Sequence, residues 1–272
     1  MSSQIAFIGG GNMARSLIGG LIARGRPAAD VIVSDPVPQQ LETLRAAYGV
    51  RTAASNLEAA SNAGVVVLAV KPQDLRAVVV ELSATLRSTR PLLLSVAAGI
   101  LASDIERWAG VPVVRCMPNR PALQGCGMTG LFATPGVPTE HRRLAAEILG
   151  AVGETIWLTD ERQMDAVTAL SGSGPAYFFL LIEMMEDAGV AMGLPRDISR
   201  KLAIETAYGS GRMAREASEP PATLREQVTS KGGTTEAALR HLESNGIRSI
   251  FAGALAAAAK RSAELARELG KI

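Results

Sequence analysis

Ile5-Ala6-Phe7-Ile8-Gly9-Gly10-Gly11-Asn12-Met13-Ala14 decides the fold. Four apolar residues in a row, the pattern of a strand buried on both faces, run into three glycines and then into a helical pattern. Gly9, Gly11 and Ala14 occupy the small positions of G-x-G-x-x-A, the dinucleotide fingerprint. Gly9 permits a tight turn, Gly11 lets the backbone approach a pyrophosphate, and Ala14 falls where the helix packs on the strand. The helix start offers unsatisfied N–H groups and a positive dipole end to phosphates. The motif alone is weak, but here a strand precedes it and a helix follows. The competing reading is a Gly-rich turn without a ligand.

Outward from this stretch, short apolar runs alternate with helical patterns. Strands are predicted over 5–8, 31–34, 65–70, 92–96 and 111–116, with helices over about 12–24, 38–48, 73–88 and 102–109. Continuous Val, Ile and Leu runs joined by helices imply βαβ units and a doubly wound, mostly parallel sheet. Runs at 128–133 and 154–158, with a helix near 139–151 between them, extend that sheet. After Thr159 the pattern turns helical: about 160–170, 175–191, 196–217, 222–229, 235–244 and 247–269. Breakers separate these helices at Ser171-Gly172-Ser173-Gly174-Pro175, Gly193-Leu194-Pro195, Glu219-Pro220-Pro221, Gly232-Gly233 and Asn245-Gly246. The expected organisation is an α/β dinucleotide-binding domain over 1–159 and an all-α domain over 160–272. Phe178-Phe179-Leu180-Leu181-Ile182 on one helix favours a dimer interface over a monomeric bundle.

Composition narrows the function classes. The balance of 28 basic and 26 acidic residues lacks the electrostatic footprint of a nucleic-acid binder. Cys116 and Cys126 form no CxxC or zinc spacing and are expected as free thiols in a reducing compartment. No charged n-region precedes the first strand, and no apolar run approaches the roughly 18 residues of a membrane span, so a soluble cytoplasmic protein is expected.

The dinucleotide reading selects its own residues. Ile8, Gly9, Gly10, Gly11, Asn12 and Met13 form the phosphate loop, and Ser34 and Asp35 end the second strand roughly 20 residues further on, where ribose contacts are expected. Asp35 can accept hydrogen bonds from a free ribose hydroxyl, which favours NADH, or it is only a turn residue before Pro36. Ser34 and Asn56 can donate to a 2′-phosphate, which leaves NADPH open. Ala69, Val70, Lys71 and Pro72 end another strand, at the carboxyl edge where such sheets bind ligands. Lys71 is either close to the ribose or a solvated strand-end lysine. Val96, Ala97 and Ala98 are small enough to lie under a nicotinamide.

Other chemistries fail. His141 and His241 sit in helical patterns without metal-ligand spacing, and no metal site is expected. Ser171-Gly172-Ser173-Gly174 does not fit a nucleophile elbow. Glu183, Glu186 and Asp187 read as a solvated helix face. The chemistry is therefore expected from the cofactor, with the protein supplying position and electrostatics. A second loop, Ser230-Lys231-Gly232-Gly233-Thr234-Thr235, exposes backbone N–H groups ahead of a helix and reads either as a carboxylate-binding nest or as ordinary capping by Thr234 or Thr235.

Gly9 to Ala14, Ala69-Val70-Lys71-Pro72, Arg115-Cys116-Met117-Pro118-Asn119, Leu170 to Tyr177 and Ser230 to Glu243 together resemble the pyrroline-5-carboxylate reductase family, in order and spacing from Ile5 to the C-terminus. The resemblance implies an N-terminal Rossmann domain and a C-terminal helical domain that interlocks as dimers, often built into decamers. It implies NADH- or NADPH-dependent reduction of L-1-pyrroline-5-carboxylate to L-proline, with the substrate between one subunit's cofactor domain and the partner's helical domain. It assigns the substrate carboxylate to Ser230, Gly232, Gly233, Thr234 and Thr235, and the imine nitrogen to the Thr235 hydroxyl. Glu161 lines the substrate site by the same resemblance, and Asn119 and Gln227 the cofactor. Arg120 and Lys231 depart from the family pattern and put the substrate in question. The alternatives are a related imine or hydroxyacid-type reductase and a dinucleotide-sensing protein without turnover.

Overall fold

The computed structural model describes residues 4–270. Eight strands form one sheet in the order β3-β2-β1-β4-β5-β6-β7-β8. They are β1 Ile5–Ile8, β2 Val31–Ser34, β3 Arg51–Thr52, β4 Val65–Leu68, β5 Leu92–Ser95, β6 Val113–Met117, β7 Gly127–Ala133 and β8 Gly153–Trp157. Every pairing is parallel except β6 with β7. The reversal of strand order beside β1, which pairs β2 on one side and β4 on the other, is the switch point where doubly wound sheets open a ligand crevice.

β1, β2, β4 and β5 are buried at every residue, as continuous apolar runs require when helices cover both faces. One face packs Ile5, Phe7, Val33 and Val67 against α1 (Asn12–Ala23) and α6 (Thr139–Gly150). The other packs Ala6, Ile8, Val66 and Leu68 against α4 (Pro72–Thr89) and α5 (Ala102–Ala109). α2 (Pro38–Tyr48) also contributes Leu44 to the first core.

Two short elements escaped the periodicity. β3 is two residues long, and α3 (Asn56–Ala60) is barely more than a turn. A signal for α3 did exist: Ser55 Oγ accepts from Glu58 N at 3.1 Å and Glu58 Oε2 from Ala54 N at 2.8 Å, close to a capping box. Strand ends also shift: β4 stops at Leu68, β5 at Ser95, and β6 begins at Val113 after Pro112, which lacks a ladder N–H.

The helical elements are α7 (Gln163–Val167), α8 (Gly174–Ala191), α9 (Arg196–Glu216), α10 (Pro221–Gln227), α11 (Thr234–Ser244) and α12 (Ile247–Leu269). The expected break at Ser171–Pro175 does not occur. Thr168–Gly172 form a π turn, with Ser173 N donating to Thr168 O at 2.8 Å. That widening accommodates Pro175, which has no N–H to donate, and helix continues from Gln163 to Ala191. This 29-residue run is long and apolar enough by composition to cross a membrane, contrary to the expectation that no such stretch exists.

The chain forms two compact units, one comprising residues up to Ser173 together with those from Ala258 on, the other Gly174–Ala257. This division falls after the change of pattern at Thr159, because α7 packs on β7, with the Val167 side chain beside Gly130. The chain also returns to the first unit at its end, where Leu269 joins the second core. Within the second unit α8 and α9 pack on one another. A Cβ on Gly189 would lie 2.1 Å from Ser199 Oγ, so only glycine admits the Ser199 hydroxyl, which donates to Glu186 O at 2.7 Å.

Candidate functional site

In the first unit the carboxyl ends of β1, β2, β4, β5 and β6 meet the expected cofactor residues. Gly9 has φ +99°, and a Cβ there would lie 2.7 Å from Ala69 O. The close approach of the two chain turns therefore requires glycine at this point. Gly9 N donates to Ser34 O at 2.8 Å and Ala69 N to Ile8 O at 2.8 Å, which ties the three strand ends together. Gly11 caps α1 with nothing within 4 Å of where its Cβ would be, and no side chain caps the helix. The first-turn N–H groups, including those of Asn12 and Met13, are left to an external acceptor.

Asp35 links the phosphate loop to the next helix. Its Oδ2 accepts from Gly10 N at 2.7 Å and its Oδ1 from Val37 N at 2.8 Å. The turn role is thus real, and each oxygen keeps a lone pair for a ribose hydroxyl. Beyond Asp35 opens a cavity of about 390 Å³ lined by Gly9, Ser34, Asn56, Val70, Asp74 and Glu81, among others. Ser34 Oγ donates to Asn56 Oδ1 at 2.8 Å, and Asn56 Nδ2 donates to Glu81 Oε2 at 3.1 Å. Lys71 is exposed immediately before α4, where Pro72 is the first residue. Val96 and Ala97 follow β5, and Ala98 is exposed beside them.

Asn119 follows β6. Its Nδ2 donates to Ser171 O and Oγ at 3.2 and 3.1 Å, and its Oδ1 accepts from Met128 N at 2.9 Å. One amide thereby joins β6, β7 and the π turn. Glu161 is engaged elsewhere. Its Oε1 accepts from Ala102 N at 2.6 Å and from Arg115 Nη1 at 2.7 Å. Arg115 is almost wholly buried, so this carboxylate both caps α5 and neutralises a cation removed from water. Arg115 and Ser171 do not stand out as site residues in the sequence, because nothing local announces a partner some fifty positions away.

The second unit carries the other loop. Gly232 has φ +74° and its N–H donates to Glu236 Oε2 at 2.7 Å, while Gly233 N donates to Ser230 O at 3.0 Å. No side chain caps α11, so capping by Thr234 or Thr235 is not what the loop does. Thr234 and Thr235 instead occupy the first turn of α11, whose N–H groups lack intrahelical acceptors. Gln227 ends α10, exposed, and Lys231 is exposed on the loop, as Arg120 is after β6. Among the described residues no group of three or more His, Cys, Asp or Glu is arranged to hold a metal. Cys116 and Cys126 are both free, and burial pushes the Cys116 thiol far above its ordinary range.

Residues 4–99 match the family described as NADP oxidoreductase coenzyme F420-dependent, and residues 161–265 match pyrroline-5-carboxylate reductase dimerisation. A pyrroline-5-carboxylate reductase of Pseudomonas aeruginosa is 49% identical, with 98% of each chain covered. The chain belongs to the pyrroline-5-carboxylate reductase family. A family member of Haemophilus influenzae is 44% identical over 96% of this chain and 97% of its own. The solved structure of a pyrroline-5-carboxylate reductase from Coxiella burnetii is 43% identical and superposes with a TM-score of 0.94, covering 97% of this chain and 99% of that one. That of Plasmodium falciparum, solved with NADP bound, is 28% identical with a TM-score of 0.84 over 97% of this chain and 98% of that one. The sequence resemblance thus rests on the whole fold of the reductase family, not on its motifs alone.

Proposed function

We propose that this protein reduces L-1-pyrroline-5-carboxylate to L-proline with NADH or NADPH, and that it works as a homo-oligomer. The observation that carries this is the pairing of two pre-formed anion sites in a chain of this family: the Gly9–Met13 helix start and the Gly232–Thr235 helix start. The first fits a dinucleotide by its enforced glycine and open approach at Gly11. When bound, the reduced nicotinamide supplies a hydride to the imine carbon. Ile8 to Met13, Asp35, Ala69 to Pro72, Val96 to Ala98 and Asn119 hold and orient that cofactor in this reading.

The second site takes the substrate carboxylate on the N–H groups opening α11, where the helix dipole favours negative charge. Lys231 adds positive potential beside it. The Thr235 hydroxyl holds the proton at the imine nitrogen, which makes the adjacent carbon more electrophilic. Gln227 and Glu161 belong to the same reading, the latter by fixing Arg115 and α5. Rate enhancement comes from alignment of donor and acceptor.

Oligomerisation is supported by the match to a dimerisation family and by a helical unit whose apolar side chains are exposed. Phe178 and Phe179 on α8 are 65% and 63% exposed, and Leu202 and Tyr208 on α9 are 54% and 66% exposed. Exposed apolar side chains gathered on two helices that pack together mark an interface. A dimer through these helices, with dimers assembled further into a decamer, and a cytoplasmic setting complete the proposal. The decisive experiment follows loss of reduced-nicotinamide absorbance with pyrroline-5-carboxylate and identifies proline as product. Cofactor binding without turnover would leave a dinucleotide-sensing protein.

A further inference from the structure

We infer that the cavity beyond Asp35 selects NADH over NADPH, with Asp74 and Glu81 of α4 as the discriminating residues. This rests on the reductase reading above and goes beyond it. In a doubly wound fold the adenosine ribose sits at the end of the second strand, here Ser34-Asp35. The cavity at that point is lined by three carboxylates, those of Asp35, Asp74 and Glu81, and among its described lining residues none is Lys or Arg. Asp74, Val78 and Glu81 lie at i, i+4 and i+7 and so share one face of α4.

A 2′-phosphate is a near-dianion at neutral pH that offers acceptors. It needs donors or cations, and of the cavity's three described side-chain donor groups, Ser34, Ser55 and Asn56, two are engaged within the protein. The Ser34 hydroxyl is spent on Asn56 Oδ1, and Asn56 Nδ2 is engaged by Glu81 Oε2. Asn56 Nδ2 keeps a second N–H beside its bond to Glu81, and a phosphate taking it would be brought against that carboxylate. A free 2′-hydroxyl has the opposite requirement, since it donates, and Asp35 retains lone pairs to accept it. Glu81 therefore acts as a like charge beside the one amide that a phosphate would use.

The test is fluorescence titration of NADH and NADPH into the full-length protein without substrate, at low and high salt. NADPH is expected to bind at least about tenfold more weakly, with the gap narrowing as salt screens the carboxylates. In the double variant Asp74→Asn, Glu81→Gln the NADPH-to-NADH ratio of Kd falls several-fold; if it does not fold, the single variant Asp74→Asn reads the same ratio. Equal or tighter NADPH binding by the parent protein overturns the inference and leaves the reductase reading standing. So does a ratio unmoved in a variant that melts like the parent. Failure to bind either nucleotide removes the reductase reading and this inference with it.

Discussion

Single residues carry the sharpest tests. Gly9 combines a positive φ with a backbone oxygen 2.7 Å from where a Cβ would sit. Gly9→Ala should destabilise the fold by about 1–3 kcal/mol and weaken nucleotide binding, because either the turn or the β1–β4 junction must shift. Parallel thermal melts and nucleotide titrations read both effects, and unchanged binding would free the loop from its cofactor role. Glu161→Ala leaves Arg115 buried without its counter-charge and α5 without its cap. A loss of about 3 kcal/mol in denaturant unfolding is expected, with Glu161→Gln milder. Thr235 is different, since its hydroxyl is assigned to chemistry. Thr235→Ala should lower kcat on the order of 10²-fold while the Kd of NADH stays within about twofold. An unchanged kcat removes Thr235 from the reaction.

At the scale of elements, α8 and α9 are joined by a charge cluster. Glu186 accepts from Arg200 at 2.8 and 3.0 Å and from Arg196 at 2.9 Å. Hydrogen bonds from Arg200, then from Arg196, hold its carboxyl below the ordinary range. The unfolded chain returns Glu186 to about 4.3, so the cluster stabilises the folded state fully above that pH and loses its effect as pH falls through the lower folded value. Glu186→Gln should therefore melt earlier than the parent at pH 7, with the difference closing below about pH 4. A gap that persists in acid would assign the effect to packing. The elements themselves are largely legible in sequence, because buried strands such as β4 and amphipathic helices such as α4 repeat their pattern long enough to read. β3 is not, being two residues long. The π turn is not either: its Ser-Gly-Ser-Gly-Pro reads as a breaker until Ser173 N finds Thr168 O. The site divides the same way. Gly9 to Ala14 and Gly232 to Thr235 announce themselves by local chemistry, whereas Arg115–Glu161, Asn119–Ser171 and Asn56–Glu81 are pairs that only the strand order brings together.

At the scale of the molecule, the first unit holds the residues proposed to bind the nucleotide and the second the loop proposed to bind the carboxylate. The exposed α8 and α9 side chains make self-association the natural way to bury the second unit's apolar surface. Phe179→Glu places a charge where a partner would exclude water, and leaves the dinucleotide loop untouched. Sedimentation at micromolar concentration should show this variant shifted toward monomer, with turnover reduced at least about tenfold and NADH binding retained. The loss of turnover should lessen as protein concentration rises, because association then competes with the charge penalty by mass action. A monomer with full turnover would make the site complete within one chain, and a variant that fails to bind NADH would show instead that the substitution had damaged the fold. The concentration series separates these outcomes: an assembly-dependent site regains activity with concentration, whereas a damaged one stays inactive throughout.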